Sequence, residues 1–333
     1  MPWEVTGPAR RTATTRPVVA IVRPGAEPAW TRADPPADGD TLLNDVAPAS
    51  ADLAWAVGQS AGGPVLWHRA GRDWTPSRPP PAPAAAVGAA LLGVDAASPA
   101  AAIAVGGHYD RLAGTETPVA LHWDGARWTA ASGLPAGRVL TSVAMPAPDA
   151  AWAVGHAFDR RGPRAFVARW DGSGWSPVDL PGSVAGRLHA VAAAGGRLWA
   201  AGESAGRSRR RPLILHWDGR GWTRPALPTG AADRPLTSLA ALSATDVWAA
   251  GGGLLLHWDG TAWTAVDPPF PAVNTVAAGP TGQVWVAGGR GDLARFDGGR
   301  WAPVPDPPRD VVWLGSGSSA DGPLMIVGST RAG

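Results

Sequence analysis

Residues 236–263 read LTSLAALSATDVWAAGGGLLLHWDGTAW. Two patterns follow one another there. A Leu-x-x-Val-type opening at Leu236–Leu239 leads to Trp-Ala-x-Gly at Trp248–Gly251, and Leu-His-Trp-Asp-Gly-x-x-Trp then runs from Leu256 to Trp263. The glycine closing the first pattern recurs at Gly58, Gly106, Gly155, Gly202, Gly251, Gly288 and Gly328, which is 270 residues in six steps, or 45 per step. That period suits four-stranded propeller blades and exceeds that of leucine-rich or helical-pair repeats. The second pattern returns at Gly71/Trp74, Gly125/Trp128, Gly172/Trp175, Gly219/Trp222, Gly260/Trp263 and Gly298/Trp301, with a looser copy at Gly25/Trp30.

Each pattern reads as a pair of strands. Segments such as Val284–Ala287 and Leu213–Leu215 are short, β-branched, aromatic or leucine-rich, and bounded by Gly, Pro and Asp; helical periodicity is nearly absent. Asp-Gly between two Trp-bearing strands is a hairpin signal, because Asp bonds its own backbone two residues on and Gly tolerates positive φ. The last leading pair, Trp313 to Gly328, has no Asp-Gly hairpin after it, and the first hairpin, Val18 to Trp30, has no leading pair before it. The expected fold is therefore an all-β, seven-bladed propeller whose last blade is closed by N- and C-terminal strands. Residues 1–17 form a tail and 18–333 a single domain, and closing the ring with both chain ends removes exposed strand edges.

This blade unit resembles the kelch and WD-repeat-like propellers that occur as divergent repeats in bacterial proteins, over residues 18–328. Double glycines stand only at Gly106-Gly107, Gly251-Gly252 and Gly288-Gly289, unlike kelch, and Trp-Asp opens a turn instead of ending a strand, unlike WD repeats. The resemblance implies a fold; function has to be argued from a site.

Composition narrows the chemistry. The chain has 333 residues, no Cys, and 29 basic residues that are all arginine. Disulfides, thiolate metal sites, cysteine nucleophiles, Schiff bases and P-loop lysines are excluded. A net charge of +2 without long basic tracts gives no sign of a nucleic-acid partner. The most apolar stretch, Ala84–Val94, ends at Asp95, short of a membrane span. No secretory h-region is seen near the N-terminus, so a cytoplasmic, monomeric protein without cofactor is expected.

Most of the 19 tryptophans are periodic and are assigned to packing between blades. His68, His122, His216 and His257 hold one repeat position in four blades, so radial symmetry keeps them from converging on a metal ion. Departures from the repeat carry more information. The interval from the strand B glycine to the residue before the strand C Trp is 16 residues in blade 2 and 14 in blades 3 and 4, against 6 and 7 in blades 5 and 6. These longer B–C segments carry His108, Tyr109, Asp110 and Arg111 in blade 2, His156, Asp159, Arg160 and Arg161 in blade 3, and Glu203, Arg207 and Arg209–Arg211 in blade 4.

Two readings follow. In the first, a small molecule or protein binds at the channel mouth, on the face bearing these segments, through Tyr109, Arg111, Arg160, Arg161, Glu203 and Arg207. In the second, a lyase, hydrolase or cyclase uses His108, Asp110, His156 and Asp159 for proton transfer, with Arg111 and Arg160 stabilising an anion. The inner-strand residues Asn44, Asp45, Asp95, Ser142, His189, Ser238, Asn274 and Thr275 are expected to line the channel and bind water.

Overall fold

The structure, a computed structural model, describes residues 15–23, 29–33, 35, 40–160, 162–205, 210–229, 231, 234–319 and 322–331. All regular structure among them is β-strand. The chain opens with β1 (Thr15–Arg23) and β2 (Ala29–Arg32). Blade 1 follows as β3 (Thr41–Pro48), β4 (Leu53–Ser60), β5 (Gly63–Ala70) and β6 (Asp73–Pro76), and blade 2 as β7 (Ala86–Ser98), β8 (Ala101–Asp110), β9 (Thr115–Trp123) and β10 (Trp128–Ala130). Blade 3 has β11 (Arg138–Ala147), β12 (Ala150–Asp159), β13 (Gly162–Trp170) and β14 (Trp175–Val178); blade 4 has β15 (Gly186–Ala194), β16 (Arg197–Ser204), β17 (Arg211–Trp217) and β18 (Trp222–Thr223). Blade 5 is β19 (Ser238–Ser243), β20 (Asp246–Gly251), β21 (Leu254–Trp258) and β22 (Trp263–Ala265), and blade 6 is β23 (Val273–Ala278), β24 (Val284–Gly288), β25 (Leu293–Phe296) and β26 (Trp301–Pro303). Finally β27 (Val311–Gly317) and β28 (Leu324–Arg331) join β1 and β2 in a sheet ordered β2-β1-β28-β27. Blade 7 is thus split between the two ends of the chain, with Val18 paired to Gly328 and Val22 to Leu324.

The repeated glycine has a specific cause. The inner strands slip register, as between Leu43 and Asp45, Leu140 and Ser142, or Leu188 and Ala190, and β7 and β11 do so more than once. This bulge pushes inner-strand backbone against the strand beside it. A Cβ on Gly155 would lie 1.9 Å from the Val139 carbonyl oxygen, and one on Gly106 2.0 Å from that of Ala90. Only glycine fits.

The bulges also aim polar groups at the next blade. Asn44 Nδ2 donates to Leu91 O, Thr141 Oγ1 to Leu188 O, Thr237 Oγ1 to Asn274 O and Thr275 Oγ1 to Leu314 O. Asp45 accepts from Val46 N and, across the interface, from Val94 N at 3.1 Å; Asp95 accepts from Ala96 N and from Met145 N of blade 3 at 2.7 Å. Ser142 and Ser238 accept from Val191 N and Val276 N. The inner polar residues therefore tie neighbouring blades together, where the sequence suggested water binding. Inside the ring they border a cavity of about 360 Å³, lined by the inner strands of blades 1 to 5 and 7. Burial pushes Asp45 up to about 7, with the charge of Asp95 adding to the effect and the two backbone donors opposing it; burial raises Asp95 too.

Further out, aromatic rings fill the wedges between blades. Trp55 meets Trp123 and Trp128 of blade 2 at 4.8 and 5.1 Å, Trp152 meets Trp217 and Trp222 of blade 4, and Trp248 meets Phe296 and Trp301 of blade 6. Three of the periodic histidines pack on the strand B tryptophan across from them, His68 on Trp55, His216 on Trp199 and His257 on Trp248, while His122 packs against Trp170 of blade 3. Asp124, Asp171, Asp218, Asp259 and Asp297 each accept backbone N–H groups two and three residues on, closing the outer turns as expected. No helix among the described residues is long and apolar enough to cross a membrane.

Two outcomes are expected. Deleting residues 1–32 exposes the edge of β28 and lowers the melting temperature by more than about 5 °C; an unchanged value would reject closure by the termini. Because the pKa of Asp45 is raised on folding, the folded chain holds that proton more tightly. Its stabilising contribution is complete below the ordinary carboxylate range near pH 4 and is lost as pH rises toward about 7. The melting-temperature advantage of wild type over Asp45→Asn should shrink between pH 4 and 7, whereas parallel curves would remove Asp45 from the linkage.

Candidate functional site

The B–C hairpins and the connections between blades share the upper face of the ring; the A–B and C–D turns share the lower. In blades 2 and 3 the extra residues of the B–C segments lengthen the hairpin itself. Tyr109 pairs with Glu116 and Asp110 with Thr115, and in blade 3 Asp159 pairs with Gly162. His108 is accordingly a strand residue and only 4% exposed, because its backbone remains in the ladder and its ring packs inside.

The two sequence-predicted histidines are not brought together. Gly107 turns toward Val139 of blade 3, so strand alternation turns His108 toward blade 1. Neither of its ring nitrogens has a hydrogen-bond partner among the described residues. His156 turns the other way. Its electrostatic neighbours are Arg187, His189 and Glu203 of blade 4. Asp110 is a turn residue, its Oδ1 accepting the N–H groups of Leu112 and Ala113, which hold its carboxyl below the usual range. Asp159 accepts from Arg164 Nε at 2.8 Å. Arg111 and Arg160 are exposed. Arg161, Arg207 and Arg209 lie outside the described residues.

What the fold does assemble is a path of contacts from blade 3 to blade 4. His156 sits edge-on to Phe158 at 5.1 Å, and the Arg187 guanidinium lies 5.4 Å from the centre of that ring. Arg187 Nη1 bonds Glu203 Oε1 at 3.1 Å, and Arg210 Nη1 bonds Glu203 Oε2 at 3.3 Å. Glu203 is 3% exposed, so both oxygens of a buried carboxylate are held by guanidinium groups. His189, the bulged residue of β15, shares the field of Glu203 and also lines the central cavity. Burial pushes His156 down to about 4, helped by Arg187 and His189 and opposed by Glu203; burial lowers His189 as well. Both imidazoles are neutral at pH 7 and offer hydrogen bonds without charge.

Arg187 and His189 escape a search of the B–C segments, since they stand on the inner strand of the following blade. Their signal is two long polar residues flanking the bulge, at positions where blades 1 and 2 have Leu42 with Asn44 and Ala90 with Leu92. Apolar side chains gather on the same face. The large hydrophobics exposed among the described residues are Tyr109 (44%), Leu112 (90%), Phe158 (52%) and Leu314 (39%). Three of them stand on the B–C hairpins of blades 2 and 3, and Leu314 lines the central cavity.

No family model matches the chain, and no curated protein matches it in sequence. Solved structures do match it in shape. YCF48 bound to a D1 peptide is 17% identical with a TM-score of 0.58, over 87% of this chain and 92% of that one. The WD40 β-propeller domain of Doa1 is 10% identical with a TM-score of 0.59, over 88% and 94%. A streptogramin B lyase is 12% identical with a TM-score of 0.62, over 86% and 93%. At these identities the likeness establishes the propeller fold alone.

The ion-pair geometry predicts an asymmetric response to mutation. Glu203→Ala strands two guanidinium groups beside a buried gap and should cost about 1–3 kcal/mol. Arg210→Ala, removing a partner whose side chain is 67% exposed, should cost less than about 1 kcal/mol. Chemical denaturation of both variants checks this; equal losses would contradict the proposed burial of Glu203.

Proposed function

We propose that this protein is a binding propeller that docks a segment of another protein on its upper face, over blades 2 to 4. The observation carrying this reading is the coincidence of Tyr109, Leu112 and Phe158 with the exposed Arg111 and Arg160 on the same hairpins, beside Arg164, Arg187 and Arg210, which hold Asp159 and Glu203. Exposed apolar side chains ringed by charge are the usual anatomy of a recognition patch. Guanidinium groups prefer carboxylates, so the fitting partner is an acidic segment carrying apolar anchors. Neutral His156, in the field of His189 at the cavity wall, extends the patch toward the channel mouth. That a propeller of this shape, YCF48, has been solved with a peptide bound supports the reading without identifying the partner.

The lyase, hydrolase or cyclase reading needs His108 and His156 around one reacting group. Their placement toward blades 1 and 4 gives it no support.

A random-peptide library selected against the full chain tests the proposal. Enriched peptides should be rich in Asp and Glu with aromatic or leucine anchors. Their affinity should fall at least about tenfold on a Leu112→Ser, Phe158→Ser double variant and weaken with salt. Peptides that bind wild type and variant equally would sink the upper-face assignment. A thermal-shift screen of small molecules on wild type and a His108→Ala, His156→Ala variant covers the smaller ligands.

A further inference from the structure

The lower face carries a second, independent feature. Between blades 5 and 6 lies a cleft of about 540 Å³ lined by Asp246, Trp248 and His257 from blade 5 and by Gln283, Val284 and Phe296 from blade 6. Two departures from the repeat coincide there. Before the Asp-Gly turn, blades 2 to 5 have Trp123, Trp170, Trp217 and Trp258, whereas blade 6 has Phe296. A six-membered ring leaves open some of the space an indole would fill. In addition, the residue two before the strand B tryptophan is Leu53, Ala150 and Arg197 in blades 1, 3 and 4, but Asp246 in blade 5.

Asp246 converts a packing motif into a polar site. Its Oδ1 accepts from both Trp248 Nε1 and His257 Nε2, each at 2.9 Å, which fixes the carboxylate against the stacked Trp248–His257 pair. Its Oδ2 takes no hydrogen bond among the described residues, and the side chain is 43% exposed. Arg295 borders the cleft, but it pairs across the sheet with Trp285, which packs in the core shared with blade 7, so its side chain lies on the far face. Asp297 at the rim is committed to the N–H groups of Gly299 and Arg300. The cleft therefore presents one half-used carboxylate, flanked by the Phe296 and His257 rings, with no guanidinium directed into it.

We infer that this cleft binds an organic cation, a guanidinium or amidinium group on a planar body, paired with Asp246 Oδ2 and lying against the Phe296 and His257 rings. A planar cation satisfies both features at once: it gives a charge-assisted hydrogen bond to Oδ2 and is attracted by a ring face. Neutral planar molecules of the same outline satisfy only the second.

Benzamidine and its uncharged isostere benzamide make the test, titrated into the full chain labelled with ¹⁵N in the tryptophan indoles. The Trp248 signal is recognised by its displacement in Asp246→Asn, since its N–H donates to that carboxylate. Benzamidine should shift this signal with a dissociation constant of about 1 mM or tighter, and benzamide should leave it in place. Binding should weaken at least about tenfold in Asp246→Asn. It should weaken as much in Phe296→Trp, which restores the residue that four other blades carry and should preserve the fold. Equal shifts with benzamide, undiminished binding in either variant, or no shift up to about 10 mM benzamidine would each overturn the assignment. Should Asp246→Asn unfold, the Trp248 signal is recognised by its loss in Trp248→Phe, and Phe296→Trp still decides.

Discussion

The close approach of seven inner strands around one axis governs the rest of this molecule. These strands carry bulges, and the bulge beside strand B forces backbone against its neighbour so tightly that only a glycine can stand opposite, as at Gly106 and Gly155. The same irregularity frees a side chain to cross to the next blade, as Asn44 and Thr141 do. Asp45 and Asp95 belong to this set. They join blades 1, 2 and 3 through backbone amides in a confined ring, and confinement raises their affinity for protons. Glycine, threonine, asparagine and aspartate at the centre are therefore one solution to one crowding problem.

The fold was legible because a propeller repeats its constraints. Trp-Ala-x-Gly marks the bulge contact, and Asp-Gly-x-x-Trp marks the outer turn and the wedge between blades. Counting them gave seven blades, and their order exposed the split one. The packing of His68, His216 and His257 on Trp55, Trp199 and Trp248 accounts for the recurrence of histidine at that position in three blades. The candidate site was legible only in part. Extra length between strands B and C was visible, but not that it extends a ladder and so buries His108. Nor could the segment content reveal which neighbour each imidazole faces, since that depends on counting alternation from a packed residue. Arg187 was missed, and His189 was read only as a channel residue, because both reach the site from the next blade, a contact of tertiary origin.

The two faces divide by the way each departs from the repeat. On the upper face the departures are insertions: longer hairpins lift Tyr109, Leu112 and Phe158 out of the core and draw Arg187 and Arg210 around Glu203. On the lower face the blade keeps its length and the departures are substitutions, with Phe296 and Asp246 altering one wedge out of several. Insertion yields a broad surface suited to a polymer, and substitution a small recess suited to a single group. The scaffold can vary the two independently, because they stand on opposite faces and share no blade interface.

The split blade imposes an order in time. β1 is synthesised first, yet its partner β28 lies about 300 residues later, with Val18 opposite Gly328. At a synthesis rate of roughly 5–20 residues per second, β1 waits some tens of seconds for that partner. Throughout that interval β1 has only β2 beside it, and the edge of Val18 to Val22 that β28 covers in the finished ring lacks its partner. A nascent chain must therefore keep one edge of an apolar strand uncovered until β28 emerges, and the ring locks only then.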